Sequence, residues 1–247
     1  MTLEGRTAIV TGAAGGIGTA ISTHLANSGA SVALCDLDGD AARRLAATLP
    51  GKCAGFAMDV SDSAGVAATV AAVEAELGPV DILVNNAGID IIERFIESTE
   101  DTWQKIVSVN YLGTVIVTRA VLDGMIERRY GRIVNIGSDA GRVGSSGEVV
   151  YSGTKGAVIA FGKALARETA TKGITVNVVC PGPTDTSLLD QIAEKSQGMY
   201  EALGKAVPMK RIGTPDDVAP AVVFFAGDGA AYITGQTLSV SGGLTMA

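Results

Sequence analysis

The sequence predicts an α/β fold in which helices cover both faces of a doubly wound parallel sheet. Short β-branched runs alternate with longer helical patterns along the 247 residues, which is the order of successive βαβ units. The apolar runs lack strict polar alternation, as expected for strands buried on both faces. Hydrophobic residues make up 47% of the chain and aromatic residues 4%. The core is therefore expected to consist of tightly packed aliphatic side chains.

The strands and helices follow from this pattern. Seven strands are predicted, at residues 8–10, 31–35, 55–58, 82–84, 132–136, 175–179 and 237–240. Between them, helices are predicted at residues 20–28, 40–49, 63–77, 99–125, 151–172 and 215–225. The last helix has the clearest start, because Thr214 can cap it, Pro215 fits its first turn and two acids follow. No repeat or linker interrupts the series, so residues 1–247 are predicted to form one domain.

Residues 184–213 form a long excursion between two predicted strands. Excursions of that size in a compact fold are usually functional. Apolar residues at partly helical spacing occur in it, among them Leu188 and Leu189. We therefore expect a helical lid over an apolar substrate. An oligomer contact or an ordinary core helix is the alternative.

Charge and composition argue against several functional classes. A net charge of -7 and a pI near 4.8 oppose binding to nucleic acid or to an anionic membrane, since both need a basic surface. No apolar run reaches the roughly 18 residues of a membrane span, and the N-terminus lacks a leader pattern, so a cytoplasmic location is expected. The three cysteines form no CxxC pair and are expected to be reduced thiols. With a single histidine, no metal site is expected.

A glycine-rich turn follows the first predicted strand. In this turn, glycines let the backbone approach a pyrophosphate, while the N-H groups and the dipole of the next helix receive its charge. The expected contacts with the cofactor phosphates come from Gly12, Gly15, Gly16, Ile17 and Gly18. A tight structural turn is the alternative, and the position between the first strand and the first helix counts against it.

The second predicted strand leads into Asp36, at about the interval expected for an acid that binds a ribose. A carboxylate can accept hydrogen bonds from both ribose hydroxyls but repels a 2'-phosphate. The next residue, Leu37, offers no cation in its place. The sequence therefore favours NAD over NADP as cofactor.

Tyr151 and Lys155 stand four residues apart in a predicted helix, thirteen residues after Ser138. Residues at this spacing share one helix face, so the ammonium is expected beside the phenol. A free phenol has a pKa of about 10, too high for a general base near neutrality. We expect Lys155 to lower the pKa of Tyr151.

Several motifs together resemble the short-chain dehydrogenase/reductase family, over essentially the whole chain. They are Thr11 to Gly18, Asp59-Val60, Asn85 to Gly88, Asn110, Ser138, Tyr151 with Lys155, and Pro181-Gly182 followed by Thr186. The resemblance implies a single Rossmann-type domain with a seven-stranded parallel sheet. It also implies an NAD-dependent enzyme that interconverts a secondary alcohol and a ketone, with a homotetramer as the assembly.

The resemblance also implies residue roles. Tyr151 would be the general acid/base, Ser138 the hydrogen-bond donor to the substrate oxygen, and Lys155 an electrostatic support that also holds the nicotinamide ribose. Asn110 would hold a water on the proton path. The implied cofactor contacts are Asp59 and Val60 at the adenine, Asn86, Ala87 and Gly88 in a structural turn, and Pro181, Gly182, Thr184 and Thr186 around the nicotinamide.

Each catalytic assignment has a plainer alternative: Ser138 as the cap of a strand end, Asn110 bonded within its own helix, and Tyr151 as a packing residue. A non-catalytic NAD-binding regulator is the alternative from another functional class. Such proteins usually lack the Tyr or the Lys, whereas this chain has both.

The loops that flank the predicted site point to a substrate class. Residues 138–148, 178–186 and 238–246 resemble those of the 2-hydroxycyclohexanecarboxyl-CoA dehydrogenases of this family, which act on an alicyclic β-hydroxyacyl thioester. The expected partner is thus a small-molecule substrate, with an acyl-CoA as one candidate and contacts from Ser138, Val143, Ser145, Leu188 and Leu189. The 3-oxoacyl-carrier-protein reductases are the sibling alternative, and other cyclic secondary alcohols stay open.

Overall fold

A computed structural model describes residues 2–186 and 197–246. Within them, one sheet has the strand order β3-β2-β1-β4-β5-β6-β7, and neighbouring strands are parallel throughout. The strands are β1 Thr7–Thr11, β2 Ser31–Asp36, β3 Cys53–Ala57, β4 Val80–Asn85, β5 Gly131–Ile136, β6 Ile174–Pro181 and β7 Thr237–Val240. Strand order reverses between β1 and β4, and ligands of such sheets bind at the carboxyl ends of the strands beside this point.

Helices connect the strands in the predicted alternation. They are α1 Gly16–Asn27, α2 Gly39–Ala46, α3 Ser63–Leu77, α4 Glu100–Val107, α5 Gly113–Arg128, α6 Ala140–Val143, α7 Val149–Thr169, α8 Gln197–Ala206 and α9 Pro215–Ala226. A π-helical turn, Ser108–Leu112, joins α4 to α5. Short 3-10 turns lie at Phe95–Glu97, Ala170–Lys172 and Asp228–Ala230.

Two hydrophobic layers lie on opposite faces of the sheet, which confirms the predicted doubly wound α/β fold. Consecutive strand residues point to opposite faces, so Val10 packs in the layer under α1 and α9. Its neighbour Ile9 packs in the layer under α3 and α5. Both are fully buried, as the absence of polar alternation in the strands predicts.

The element boundaries depart from prediction where glycine or the π turn intervenes. Helix α1 begins at Gly16 rather than residue 20, because the glycine-rich turn itself forms the first helical turn. The predicted helix 99–125 is divided by the π turn and continues to Arg128, where Arg129 adopts a left-handed conformation with φ 54°. Helix α6 was not predicted.

The continuous helical stretch Glu100–Arg128 is long and apolar enough, by length and composition, to cross a membrane. Three residues on its inner face, Val117, Val121 and Met125, are buried in the hydrophobic layer under α3 and α5. The stretch therefore has the contacts of a helix that covers a sheet.

The predicted lid at residues 184–213 is described in part. Its two ends are tied together, since the Gly213 N-H donates to Pro183 O at 3.0 Å and the Asp185 N-H donates to Gly213 O at 2.8 Å. Helix α8 lies within this segment, in agreement with the partly helical spacing. Leu188 and Leu189, both expected to contact substrate, lie outside the described residues.

Candidate active site

The glycine-rich turn packs directly against the chain that leaves β4. Gly12 has φ +61°, and a Cβ at this position would lie 2.8 Å from the Ala87 Cα. A Cβ on Gly18 would lie 2.1 Å from the Gly12 carbonyl oxygen. The Asn86 side chain donates to the carbonyls of Thr11 at 3.0 Å and Gly12 at 2.9 Å. These contacts require the two glycines and fix the turn that precedes α1.

The start of α1 has the chemistry of an anion site. Its N-cap is Gly15, which provides no side-chain cap, and the first turn contains no acidic residue. The first N-H groups of a helix lack partners within it and lie at the positive end of its dipole. This end of α1 therefore fits the diphosphate of a dinucleotide. Phosphate contacts from Gly12, Gly15, Gly16, Ile17 and Gly18 stay a prediction.

The loop after β6 reaches the same place. A Cβ on Gly16 would lie 3.2 Å from the Thr186 methyl carbon, so Thr186 covers the start of α1. Thr184 is buried and donates its hydroxyl to Gly182 O at 2.9 Å. Of the residues expected around the nicotinamide, Thr186 thus lies against the glycine-rich turn.

Asp36 ends β2 next to this turn, as predicted. Its carboxylate accepts the Ala14 N-H at 2.9 Å and the Asp38 N-H at 3.0 Å, so it faces the cofactor end of the sheet. Leu37 is 77% exposed. Arg43, the nearest downstream cation in sequence, is paired with Asp40 at 2.6 Å. The position of the Asp36 carboxylate at the end of β2 fits an acid that accepts hydrogen bonds from the hydroxyls of a ribose.

Asp59 and Val60, which the family resemblance assigns to the adenine, lie in the loop after β3. The Asp59 carboxylate accepts the Ser61 N-H at 2.9 Å and the Ser61 hydroxyl at 2.6 Å, and these bonds hold the pKa of Asp59 below its usual value. Val60 is buried against Gly113. Both residues lie beyond the carboxyl end of β3, where they organise the start of the next loop.

Ser138 and Tyr151 meet at the carboxyl end of β5. The Ser138 hydroxyl neighbours that of Tyr151, although Ser138 follows β5 and Tyr151 lies in the first turn of α7. Burial of the hydroxyl raises the pKa of Tyr151 above its usual value, while the neighbouring Ser138 hydroxyl acts in the opposite direction. The pKa of Tyr151 is thus raised, where the sequence predicted a lowered one, because burial is the largest effect on it.

Lys155 lies one helical turn after Tyr151 and is 5% exposed. Its Nζ donates to Ile136 O at 2.9 Å and lies 5.6 Å from the centre of the Tyr151 ring. Burial lowers the pKa of Lys155 to about 8. The ammonium is thus held beside the phenol, on the side predicted by the four-residue spacing.

Asn110 occupies the π turn between α4 and α5. Its side chain accepts the Ile89 N-H and donates to Ile89 O, both at 2.8 Å, and it also donates to the Thr154 hydroxyl at 3.3 Å. The alternative that it bonds within its own helix is therefore wrong. Such π turns often occur at functional sites.

Asn110 and Lys155 both lie next to Gly88. A Cβ on Gly88 would lie 3.4 Å from both the Asn110 oxygen and the Lys155 Nζ, so these two groups flank Gly88.

The cavity beside Tyr151 differs from the predicted substrate contacts. Val143 ends α6 and is 63% exposed, and Ser145 accepts the Glu148 N-H with its carbonyl. Neither lines this cavity. Besides Tyr151, it is lined chiefly by apolar residues that sequence reasoning missed: Ile91, Phe95, Ile106, Val149 and Val150.

Two acids near Tyr151 were also missed. Burial, together with the neighbouring Glu148 carboxyl, raises the pKa of Asp90 to about 7. The charges of both acids raise the pKa of Tyr151. A signal existed in the sequence, because Asp90 directly follows the turn at the carboxyl end of β4.

Comparison with known proteins gives matches along the whole chain. A family model described as enoyl-(acyl carrier protein) reductase matches residues 12–245. The chain is 40% identical over 246 residues to the 3-oxoacyl-[acyl-carrier-protein] reductase FabG of Vibrio harveyi, with 100% of both chains covered. It is 42% identical over 238 residues to the acetoacetyl-CoA reductase of Shinella zoogloeoides, covering 96% of this chain and 98% of that protein.

Proposed function

Because the chain belongs to the short-chain dehydrogenase/reductase family, we propose that it interconverts a β-hydroxyacyl thioester and its β-ketoacyl form with NAD. Members of this family are oxidoreductases that bind a nicotinamide cofactor. The reaction therefore interconverts a ketone and a secondary alcohol. What we propose beyond this is that the cofactor is NAD and that the substrate is an acyl thioester.

One observation carries the proposal: the buried ammonium of Lys155 lies 5.6 Å from the centre of the Tyr151 ring, and the Ser138 hydroxyl neighbours the phenol. Three polar groups from β5 and α7 meet at the end of the sheet where the cofactor fits. Alternative roles for Ser138 as a strand cap and Tyr151 as a packing residue do not explain why a serine hydroxyl and a buried lysine both lie beside the phenol.

The chain's own groups supply the proton chemistry. In the reduction direction, Tyr151 gives its proton to the ketone oxygen, and Ser138 donates a hydrogen bond to the same oxygen as it gains negative charge. In the oxidation direction, Tyr151 takes the proton of the alcohol. Lys155 favours the tyrosinate by its positive charge. The nicotinamide, when bound, supplies or accepts the hydride.

Asp36 supports NAD rather than NADP. Its carboxylate lies at the end of β2 and accepts main-chain bonds from Ala14 and Asp38, which keeps the negative charge at the edge of the cofactor site. A 2'-phosphate there would be repelled. The ribose hydroxyls of NAD would instead donate to the carboxylate.

The thioester part rests on the relatives, which are named for acyl-carrier-protein and CoA thioesters. Neither name mentions the cyclohexane ring of the acyl group that the loop resemblance predicted. A cyclic acyl group is therefore one substrate to be tested. Two exposed arginines could form a basic docking surface for an acidic acyl-carrier protein. However, Arg128 donates to Val80 O at 2.5 Å and Arg129 donates to Thr171 O at 3.1 Å, so both already have partners within the chain. We take CoA as the carrier and acyl-carrier protein as the alternative.

A homotetramer is part of the same proposal. The stretch from α4 to α5 exposes apolar side chains on its outer side, with Val107 36% and Leu112 46% accessible. A second copy packed on this face would bury them.

A substrate panel tests the proposed function. We expect NADH to be oxidised by 3-ketoacyl-CoA and by 2-ketocyclohexanecarboxyl-CoA, with a kcat/KM at least tenfold above that for cyclohexanone, since the free ketone lacks the thioester. A parallel assay with the same acyl group attached to acyl-carrier protein shows which of the two carriers the enzyme prefers. The measurement is the loss of NADH absorbance. Equal rates with cyclohexanone, or no turnover of any thioester, would contradict the proposal.

A further inference from the structure

Helix α6 directly follows Ser138 and holds the oxygen of its hydroxyl. The Ser138 hydroxyl oxygen accepts the Ala140 N-H at 3.1 Å, and the Ser138 carbonyl accepts the Gly141 N-H at 3.0 Å. The bond from Ala140 uses the oxygen as an acceptor, so the hydroxyl proton can still be donated to another group. The position of α6 therefore decides where Ser138 can donate.

Helix α6 packs against the turn of α7 that contains Lys155. A Cβ on Gly141 would lie 2.6 Å from the Lys155 carbonyl carbon and 2.7 Å from the Gly156 nitrogen. The contact needs a glycine, because only a residue without a Cβ lets two main chains approach so closely. The segment after Ser138 is thus seated on the helix that carries the ammonium.

Helix α6 is also tied to the edge strand β7 through one serine. The Ser239 hydroxyl donates to the Asp139 carboxylate, and the Arg142 guanidinium donates to the Ser239 oxygen at 2.7 Å. Ser239 lies opposite Cys180 of β6, and the Asp139 N-H donates to Pro181 O of the same strand at 3.1 Å. We call the three side chains of Asp139, Arg142 and Ser239 the α6 anchor.

Stability alone does not explain the α6 anchor. Asp139 is 6% exposed, and its second carboxylate oxygen is buried without a hydrogen-bond partner among the residues that the structure describes. A buried charge with incomplete hydrogen bonding costs free energy, and in some proteins such groups are retained because they fix one arrangement. The arrangement fixed here is that of the segment that begins at Ser138.

We infer that Asp139, Arg142 and Ser239 are positioning residues that hold α6, and with it the Ser138 hydroxyl, in place to donate to the substrate oxygen. The inference rests on the proposed function, because it concerns the oxygen that gains negative charge in that reaction. The α6 anchor acts through Ser138 rather than on the substrate. A bond that strengthens in the transition state affects kcat more than KM.

The change Ser239→Ala tests the inference, because it breaks both side-chain bonds of the α6 anchor. Removal of a whole oxyanion donor costs about 10²- to 10³-fold in kcat, and a displaced donor costs less. We expect kcat for reduction of a 3-ketoacyl-CoA by NADH to fall about tenfold, with KM changed less than about threefold. Ser239→Thr keeps the hydroxyl and is expected to keep kcat within about twofold of the wild type.

Thr237→Val is the matched control in the same strand. The Thr237 hydroxyl is buried and has no hydrogen-bond partner within the described part of the chain, so this change removes a hydroxyl from β7 without breaking the α6 anchor. We expect kcat and KM to equal those of the wild type.

Arg142→Met tests the same inference if Ser239→Ala does not fold, because the Arg142 side chain is only half-buried. The change removes one bond of the α6 anchor, so kcat is expected to fall about threefold, and Arg142→Lys is expected to lie closer to the wild type. Wild-type kcat in Arg142→Met would then overturn the inference.

A double change separates positioning from a general loss of structure. In Ser138→Ala the hydroxyl that the α6 anchor holds is gone, so adding Ser239→Ala is expected to lower kcat by less than about twofold. The slow turnover is measured with enzyme in excess over NADH. Wild-type kcat in Ser239→Ala, or a further tenfold loss in the double change, would overturn the inference alone. Absence of wild-type turnover with every ketone and alcohol would instead overturn the proposed function.

Discussion

Replacing Tyr151 by Phe is expected to lower kcat by about 10²- to 10⁴-fold, the range that a positioned general acid/base contributes. The phenol is buried between the Ser138 hydroxyl and the Lys155 ammonium, and Phe has no proton to give or take. The ring and its packing are kept. Binding of NADH, measured by fluorescence titration, is therefore expected to change less than about threefold.

Tyr232→Phe is the matched control, because this tyrosine is fully exposed and loses the same hydroxyl. We expect wild-type turnover from it. Retained turnover in Tyr151→Phe would remove Tyr151 from the proton path. Loss of NADH binding together with turnover would point to a structural role instead.

Replacing Asp36 by Ala is expected to have the second largest effect, on the choice of cofactor. Hydrogen bonds to a charged group contribute about 1.5–3 kcal/mol each. Loss of the bonds to the ribose hydroxyls should therefore lower kcat/KM with NAD by about 10²-fold, while removal of the repelling charge raises kcat/KM with NADP. The ratio of the two values, measured with the same alcohol, is the quantity to compare.

Asp40→Ala is the control for this change, since it removes an exposed carboxylate that pairs with Arg43 in α2. Its NAD to NADP ratio is expected to equal that of the wild type. A wild-type enzyme that prefers NADP would refute the role given to Asp36, whatever the variant does.

The parts of the fold that sequence predicts are those set by local chemistry. The strands follow from short aliphatic runs, and α9 begins at Pro215 as expected. There the Asp217 carboxylate accepts the Thr214 N-H at 2.7 Å and pairs with Arg211. The glycine-rich turn and Asp36 also lie where predicted, because their spacing along one βαβ unit fixes their separation.

The parts that sequence misses depend on contacts between distant segments. Asp90 and Glu148 are far apart in the sequence, and they become neighbours because the β4 loop meets the segment before α7, where the Glu93 N-H donates to Gly147 O at 3.0 Å. The π turn at Asn110 has no distinctive local pattern, since its side chain is held by Ile89. The sign of the pKa change at Tyr151 was also missed, because the burial of its hydroxyl comes from the assembled site rather than from Lys155 alone.

The most direct test of the central claim follows the transferred hydrogen. The protein is incubated with a 3-ketoacyl-CoA and NADH deuterated at the reactive carbon of the nicotinamide, and the product is analysed by mass spectrometry and NMR. We expect one deuterium on the β-carbon of a 3-hydroxyacyl-CoA, with the hydroxyl retained. An unlabelled product, or reduction of an enoyl thioester in place of the ketone, would contradict the account.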